Sequence, residues 1–89
     1  MNFEWDEEKR LTNIRKHGFD FRDAQDLLEG AHVVIPSRYQ GQEPRLLATG
    51  LLQGRFVTVV YTMRDETFGI ISMRSARDEE GQRYQALHR

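Results

Sequence analysis

Arginine dominates the cationic chemistry available to this chain. Of its thirteen basic residues eleven are arginine; the two lysines are Lys9 and Lys16. A guanidinium is a planar fork that grips phosphate through paired hydrogen bonds, so this bias favours phosphate contact, although a GC-rich genome yields the same composition. Arg45, Arg64 and Arg74 fall in the strand-rich part of the sequence, and Tyr84 follows in the last expected helix. Around one open sheet face these four would suit a phosphodiester. Arginines neutralise a phosphorane-like transition state, and a tyrosine stacks on a base or shares a proton. His17, beside Lys16, carries an imidazole, the side-chain type best suited to general-base work; it equally suits the cationic last turn of a helix. The same arginines also fit the solvated rim of a small domain.

Other chemistries find little support. His17, His32 and His88 fall on different elements and do not group by spacing into a metal site, so neither metal nor cofactor is expected. Asp6-Glu7-Glu8 reads as an acidic first turn favoured by the helix dipole. Trp5, the sole tryptophan, reads as core. There is no Gly-rich phosphate loop and no nucleophile elbow.

The elements that must position these groups follow from spacing and turn residues. Phe3-Glu4-Trp5 alternates as a short edge strand. Asp6 caps a helix running to His17, with a sparse apolar stripe of Leu11 and Ile14, and Gly18 terminates it. A second helix starts at Asp20, with Asp23 as in a capping box and Phe19 and Ala24 as a hydrophobic staple; Gly30 ends it. His32–Ile35, Arg45–Leu52, Arg55–Met63 and Phe68–Arg74 read as strands, and Asp78–Leu87 as a final helix weakened by Gly81. Helices first and then a meander imply an α+β domain, with two N-terminal helices and one C-terminal helix on one face of a small antiparallel sheet.

Gln53-Gly54 between two β-rich runs predicts a two-residue type I′ turn, which fixes the register of the hairpin. Leu52 then faces Arg55, Gly50 Val57, Ala48 Val59 and Leu46 Tyr61, on one apolar face that should meet the helices. The other face carries Leu51 with Phe56, Thr49 with Thr58, Leu47 with Val60 and Arg45 with Thr62. Arg64 shares the parity of Thr62 and should project near Arg45. Phe68, Ile70, Ser72 and Arg74 share a parity whose face depends on the turn at Arg64–Thr67. In the last helix Arg77, Glu80 and Tyr84 fall on one stripe.

Length and charge bound the classes. Eighty-nine residues are expected to form a single domain over 1–89, without a linker or repeat. The absence of cysteine excludes a disulfide framework. No long apolar run or leader is evident, so a cytoplasmic protein with no membrane association is expected. The net charge of −1 argues against a histone-like nucleic-acid binder. That sum hides an asymmetry: residues 1–30 hold five basic and eight acidic groups (−3), and residues 31–89 hold eight and six (+2).

Two segments together carry a resemblance. Phe3-Glu4-Trp5-Asp6, Lys9, Asn13, Lys16-His17-Gly18, Phe21 and Ala24 form the first. The second comprises Arg45, Gly50, Val59-Val60-Tyr61-Thr62, Arg64, Ile70-Ile71-Ser72, Arg74, Ala76, Glu80 and Tyr84. In these residues the chain resembles the BrnT family of type II toxin–antitoxin toxins, over nearly its whole length. The resemblance implies a RelE-like fold and a metal-independent endoribonuclease that cleaves mRNA and blocks translation. It also implies a BrnA-type antitoxin partner with a ribbon-helix-helix-like DNA-binding domain, so that operator DNA is reached only through the antitoxin. By position it carries over Arg64, Arg74, His17, Tyr84 and Glu80 as catalytic, without settling which is base or acid. Lys16, Arg45 and Arg77 are expected to bind RNA. Gly69, Ser75, Arg77 and Gly81 depart from the usual pattern, which bears on RNA affinity and on the last helix. Two rival readings are a non-catalytic module that binds an antitoxin and a plain RNA-binding module.

Overall fold

The computed structural model describes residues 1–88. Its elements run β1 (Asn2–Glu4), α1 (Glu7–His17), a 3-10 turn (Phe21–Asp23), α2 (Ala24–Glu29), β2 (His32–Pro36), β3 (Leu46–Leu52), β4 (Arg55–Arg64), β5 (Thr67–Ser75) and α3 (Asp78–Leu87). The five strands form one sheet in the order β1-β5-β4-β3-β2. The α+β class is as expected, but the sheet is mixed, not antiparallel throughout. β1 lies parallel to β5, with Phe3 opposite Phe68. The cause is the chain path: α1, α2 and three strands separate β1 from β5, so β1 joins the edge as a separate segment and not through a hairpin.

α1 begins where Asp6 accepts the Lys9 N–H at 3.1 Å and ends at Gly18, whose φ of 77° is left-handed and whose N–H reaches the Ile14 carbonyl. Its anchoring differs from the expected Leu11–Ile14 stripe. Leu11 is 44% exposed, and the buried residues are Arg10 and Asn13. Arg10 donates to Glu7 and Asp20. The Asn13 Nδ2 donates to the Phe19 carbonyl at 3.0 Å and the Met73 carbonyl at 2.9 Å, and its Oδ1 accepts the Met73 N–H at 3.1 Å. β1 pairs only with residues 67–69 of β5, which leaves the same edge free further along. The Asn13 carboxamide fills that gap, presenting one donor and one acceptor as a neighbouring strand would.

The second helix is shorter than expected. Asp20 accepts the Arg22 N–H at 2.9 Å, two residues on, while its own carbonyl accepts from Asp23. That geometry tightens the start into a 3-10 turn, and α2 proper has six residues.

The β3–β4 register is the predicted one at every pair from Leu46–Tyr61 to Leu52–Arg55. Gln53 and Gly54 have φ of 52° and 80°, as a type I′ turn requires. The apolar face packs against α2: Ala48, Val57, Val59, Tyr61, Ile70 and Met73 are buried with Phe21, Ala24, Leu27 and Leu28. At β5 the ladder shifts. Arg64 pairs with Thr67 and Tyr61 with Ile70, but Val60 pairs with Ser72 and Thr58 with Arg74. Ile71 is thus an extra residue, a β-bulge. It splits the parity set Phe68, Ile70, Ser72 and Arg74: the first two stay with the core, and the last two turn to the opposite face.

α3 covers part of that opposite face, correcting the expectation that all helices lie on one side. Glu80 on α3 accepts from the buried Thr58 hydroxyl at 2.9 Å, and Thr58 meets Thr49 at 2.8 Å. Thr49 and Thr58 lie on the sheet face opposite the apolar one, as the register predicted, and with Glu80 they form a satisfied polar layer between the sheet and α3.

Two stability predictions follow from these contacts. Asn13→Asp keeps the shape but turns an acceptor toward the Phe19 and Met73 carbonyls; chemical denaturation is expected to show a loss of about 3 kcal/mol or more. A Cβ at Gly81 would lie 3.7 Å from the Phe56 ring, an ordinary contact. Gly81→Ala is therefore expected to raise stability by up to about 1 kcal/mol, read as a higher thermal midpoint.

Candidate phosphate-binding cleft

The part of the outer sheet face that α3 leaves open is the floor of a cleft of about 810 Å³. Thr62, Arg64 and Gly69 come from β4 and β5; Glu4, Asp6 and Lys9 from β1 and the start of α1; Tyr39, Glu43 and Arg45 from the loop between β2 and β3. Gly69 pairs with Thr62 across the ladder, and a Cβ there would come 2.9 Å from the Thr62 hydroxyl. The missing side chain keeps this floor open. Arg64 and Arg45 share the cleft, as strand parity predicted.

Arg64 is paired in the free protein. Its Nε and Nη2 each donate to a Glu43 carboxylate oxygen at 2.7 Å, and Nη1 lies 3.8 Å from Glu4. Glu43 pulls the guanidinium pKa up, and Arg64 in turn lowers that of Glu43. The side chains remain 62% and 44% exposed, so water and salt screen the pair and it contributes little to stability. A guanidinium held by a displaceable carboxylate is ready for another bidentate oxyanion.

A second cleft of about 390 Å³ adjoins the first, sharing Asp6, Lys9 and Ile71. It contains Lys16 and His17 from the last turn of α1, with Thr12 and Ser72 nearby. Lys9 borders both clefts, although its place in the sequence pattern alone did not mark it as a site residue. Tyr39 was also missed; the available signal was a lone aromatic in a polar loop.

The remaining predicted site residues lie elsewhere. Arg74 donates from Nη1 and Nη2 to the two Glu80 oxygens at 2.8 and 3.0 Å, with side chains 18% and 4% exposed. Glu80 also accepts from Thr58 and from the Arg77 N–H at 2.8 Å. Burial opposes its ionisation, but these donors outweigh burial and hold its pKa at about 2. Arg77 is exposed at the N-cap of α3; its side chain has no acceptor, so Glu80 supplies the helix-start bond from the other side. Tyr84 packs edge-on against Phe56 at 5.5 Å and against His88. The structure therefore groups Arg64 with Arg45, and Lys16 with His17 next door. It places Arg74, Glu80, Arg77 and Tyr84 at the α3 interface. Among the described residues, no three His, Cys, Asp or Glu side chains cluster to hold a metal. No described helix is long and apolar enough to cross a membrane.

Fold and cleft together define a small α+β domain with an arginine fork exposed on an open sheet face. Residues 5–80 match the family model for the ribonuclease toxin BrnT of type II toxin–antitoxin systems, and the chain belongs to that family. No individual curated protein matches it.

The buried pair sets an acid limit. Glu80 has its pKa depressed from 4.5 to about 2 in the folded protein, so its contribution is complete above the unfolded value and is lost as pH falls through that window. Stability is expected to fall by up to about 3 kcal/mol between pH 5 and 2 from this group. Glu80→Gln is expected to unfold more easily at pH 7 and to show a flatter acid limb in urea titrations.

Proposed function

We propose that this chain is an endoribonuclease toxin that cleaves mRNA within the two joined clefts and thereby inhibits translation. The observation that carries the reading is Arg64: an exposed guanidinium, hydrogen-bonded to the displaceable Glu43 with Glu4 beside it, on the floor of an open cleft. In this scheme an RNA phosphate replaces the Glu43 carboxylate on the Arg64 fork. Lys9, Lys16 and Arg45 hold the neighbouring backbone, since phosphate contacts position a nucleic acid without reading its sequence. The ribose 2′-hydroxyl attacks the adjacent phosphorus while His17 takes its proton. The bond to the 5′-oxygen breaks, and that oxygen takes up a proton. The products are a 2′,3′-cyclic phosphate and a 5′-hydroxyl. Arg64 stabilises the charge that builds on the non-bridging oxygens, with no metal required. Arg74 and Glu80 serve this site by positioning: they fix α3 over one half of the sheet face and leave the other half open.

Family membership supports a dedicated antitoxin partner, which we read as BrnA-type, with a ribbon-helix-helix-like domain that represses the operon on DNA. We read the fold as RelE-like and the site of action as the cytoplasm.

Arg64→Ala is expected to reduce cleavage of a single-stranded RNA by about 100-fold or more while the thermal midpoint changes little. Glu43→Gln is expected to tighten RNA binding, most clearly at low salt. Undiminished cleavage and growth arrest by a folded Arg64→Ala variant would remove Arg64 from the mechanism.

A further inference from the structure

Beside Arg64, the same cleft holds an arrangement that phosphate contact alone does not explain. The Arg45 guanidinium lies over the Tyr39 ring, 3.7 Å from its centroid. The stack is set by the loop that carries it. The Ser37 N–H donates to the Arg45 carbonyl at 2.9 Å, which closes the base of the loop, and the Tyr39 N–H donates to the Ser37 hydroxyl at 3.1 Å. Position 41 must be free of a side chain for the ring to stay, because a Cβ at Gly41 would overlap the Tyr39 ring. Yet Tyr39 is 46% exposed, so the loop holds a large aromatic in place without burying it. Such a surface has little structural use, whereas π faces and guanidinium planes are what unpaired bases stack on.

We propose that the Tyr39–Arg45 stack is a nucleobase subsite, on which an unpaired RNA base continues the stack while a phosphate of the same strand occupies the Arg64 fork. The proposal rests on the ribonuclease reading above and adds to it the part of the substrate that the loop between β2 and β3 would recognise. Stacking is tolerant of base identity, so the subsite selects single-stranded over paired RNA more than one sequence over another. Duplex RNA buries its base faces and cannot reach the platform.

The test uses the whole protein and two fluorescent hexamers with 2′-O-methyl riboses, which cannot be cleaved through the 2′-oxygen. One carries bases; the other is abasic on the same backbone. The wild type is expected to bind the base-bearing hexamer about tenfold or more tightly than the abasic one. Tyr39→Ala is expected to abolish that ratio, Tyr39→Phe to keep it, and Gly41→Ala to reduce it by pushing the ring off Arg45. Arg64→Ala is expected to weaken both hexamers by one factor and to leave the ratio unchanged. Thermal midpoints check the fold of each variant, and Tyr39→Leu replaces Tyr39→Ala if the latter is unfolded. A ratio that survives in Tyr39→Ala, or a wild type that binds both hexamers alike, overturns the subsite while the phosphate site stands. A wild type that binds neither hexamer overturns the ribonuclease reading and the subsite with it.

Discussion

One inserted residue in β5 sets the plan of the molecule. Without the bulge at Ile71, the pairing that joins Arg64 to Thr67 and Tyr61 to Ile70 would continue and bring Arg74 opposite Val57, among the buried apolar residues. A one-residue shift exchanges the faces, so Ile70 and Met73 both stay in the core and Arg74 emerges beside Thr58. α3 can then dock on the outer face, because Glu80 finds Arg74 and Thr58 there. The bulged stretch is also the edge that β1 does not reach, and Asn13 completes it from α1. Three connections, to the core, to α1 and to α3, thus meet within a few residues.

Two arginines on the same face of this sheet make different pairs, and solvent decides between them. Arg74 and Glu80 are both shielded, so their attraction is strong and its loss would leave a buried charge without a partner. Arg64 and Glu43 make hydrogen bonds of similar length in the open, where water competes for both. Geometry alone would rank the two pairs as equals. Exposure makes the first a fastener and the second a latch.

Legibility in the sequence followed the same division. The β3–β4 register could be read because Gln53-Gly54 admits one turn type and parity does the rest. The shared location of Arg45 and Arg64 came from that parity. The fate of Arg74 did not, because nothing about an isoleucine at position 71 marks it as the extra residue in a ladder. Arg10 and Asn13 resemble a solvated helix stripe, and only the unpaired β5 edge gives Asn13 its meaning. Likewise Thr49, Thr58 and Glu80 are ordinary surface residue types until they are found between α3 and the sheet. Polar residues with buried partners far along the chain are the ones that spacing cannot resolve.

The parallel pairing of β1 with β5 has a consequence for how the protein comes into being. One wall of the cleft stands on Glu4 and Lys9 and its floor on Thr62, Arg64 and Gly69, yet the ribosome makes these segments about sixty residues apart. At ~5–20 residues per second, the first segment waits on the order of several seconds for its counterpart. The nascent chain therefore carries no assembled cleft until the residues of β5 have been made. Whatever activity the cleft has begins only after β5 has been made and paired with β1.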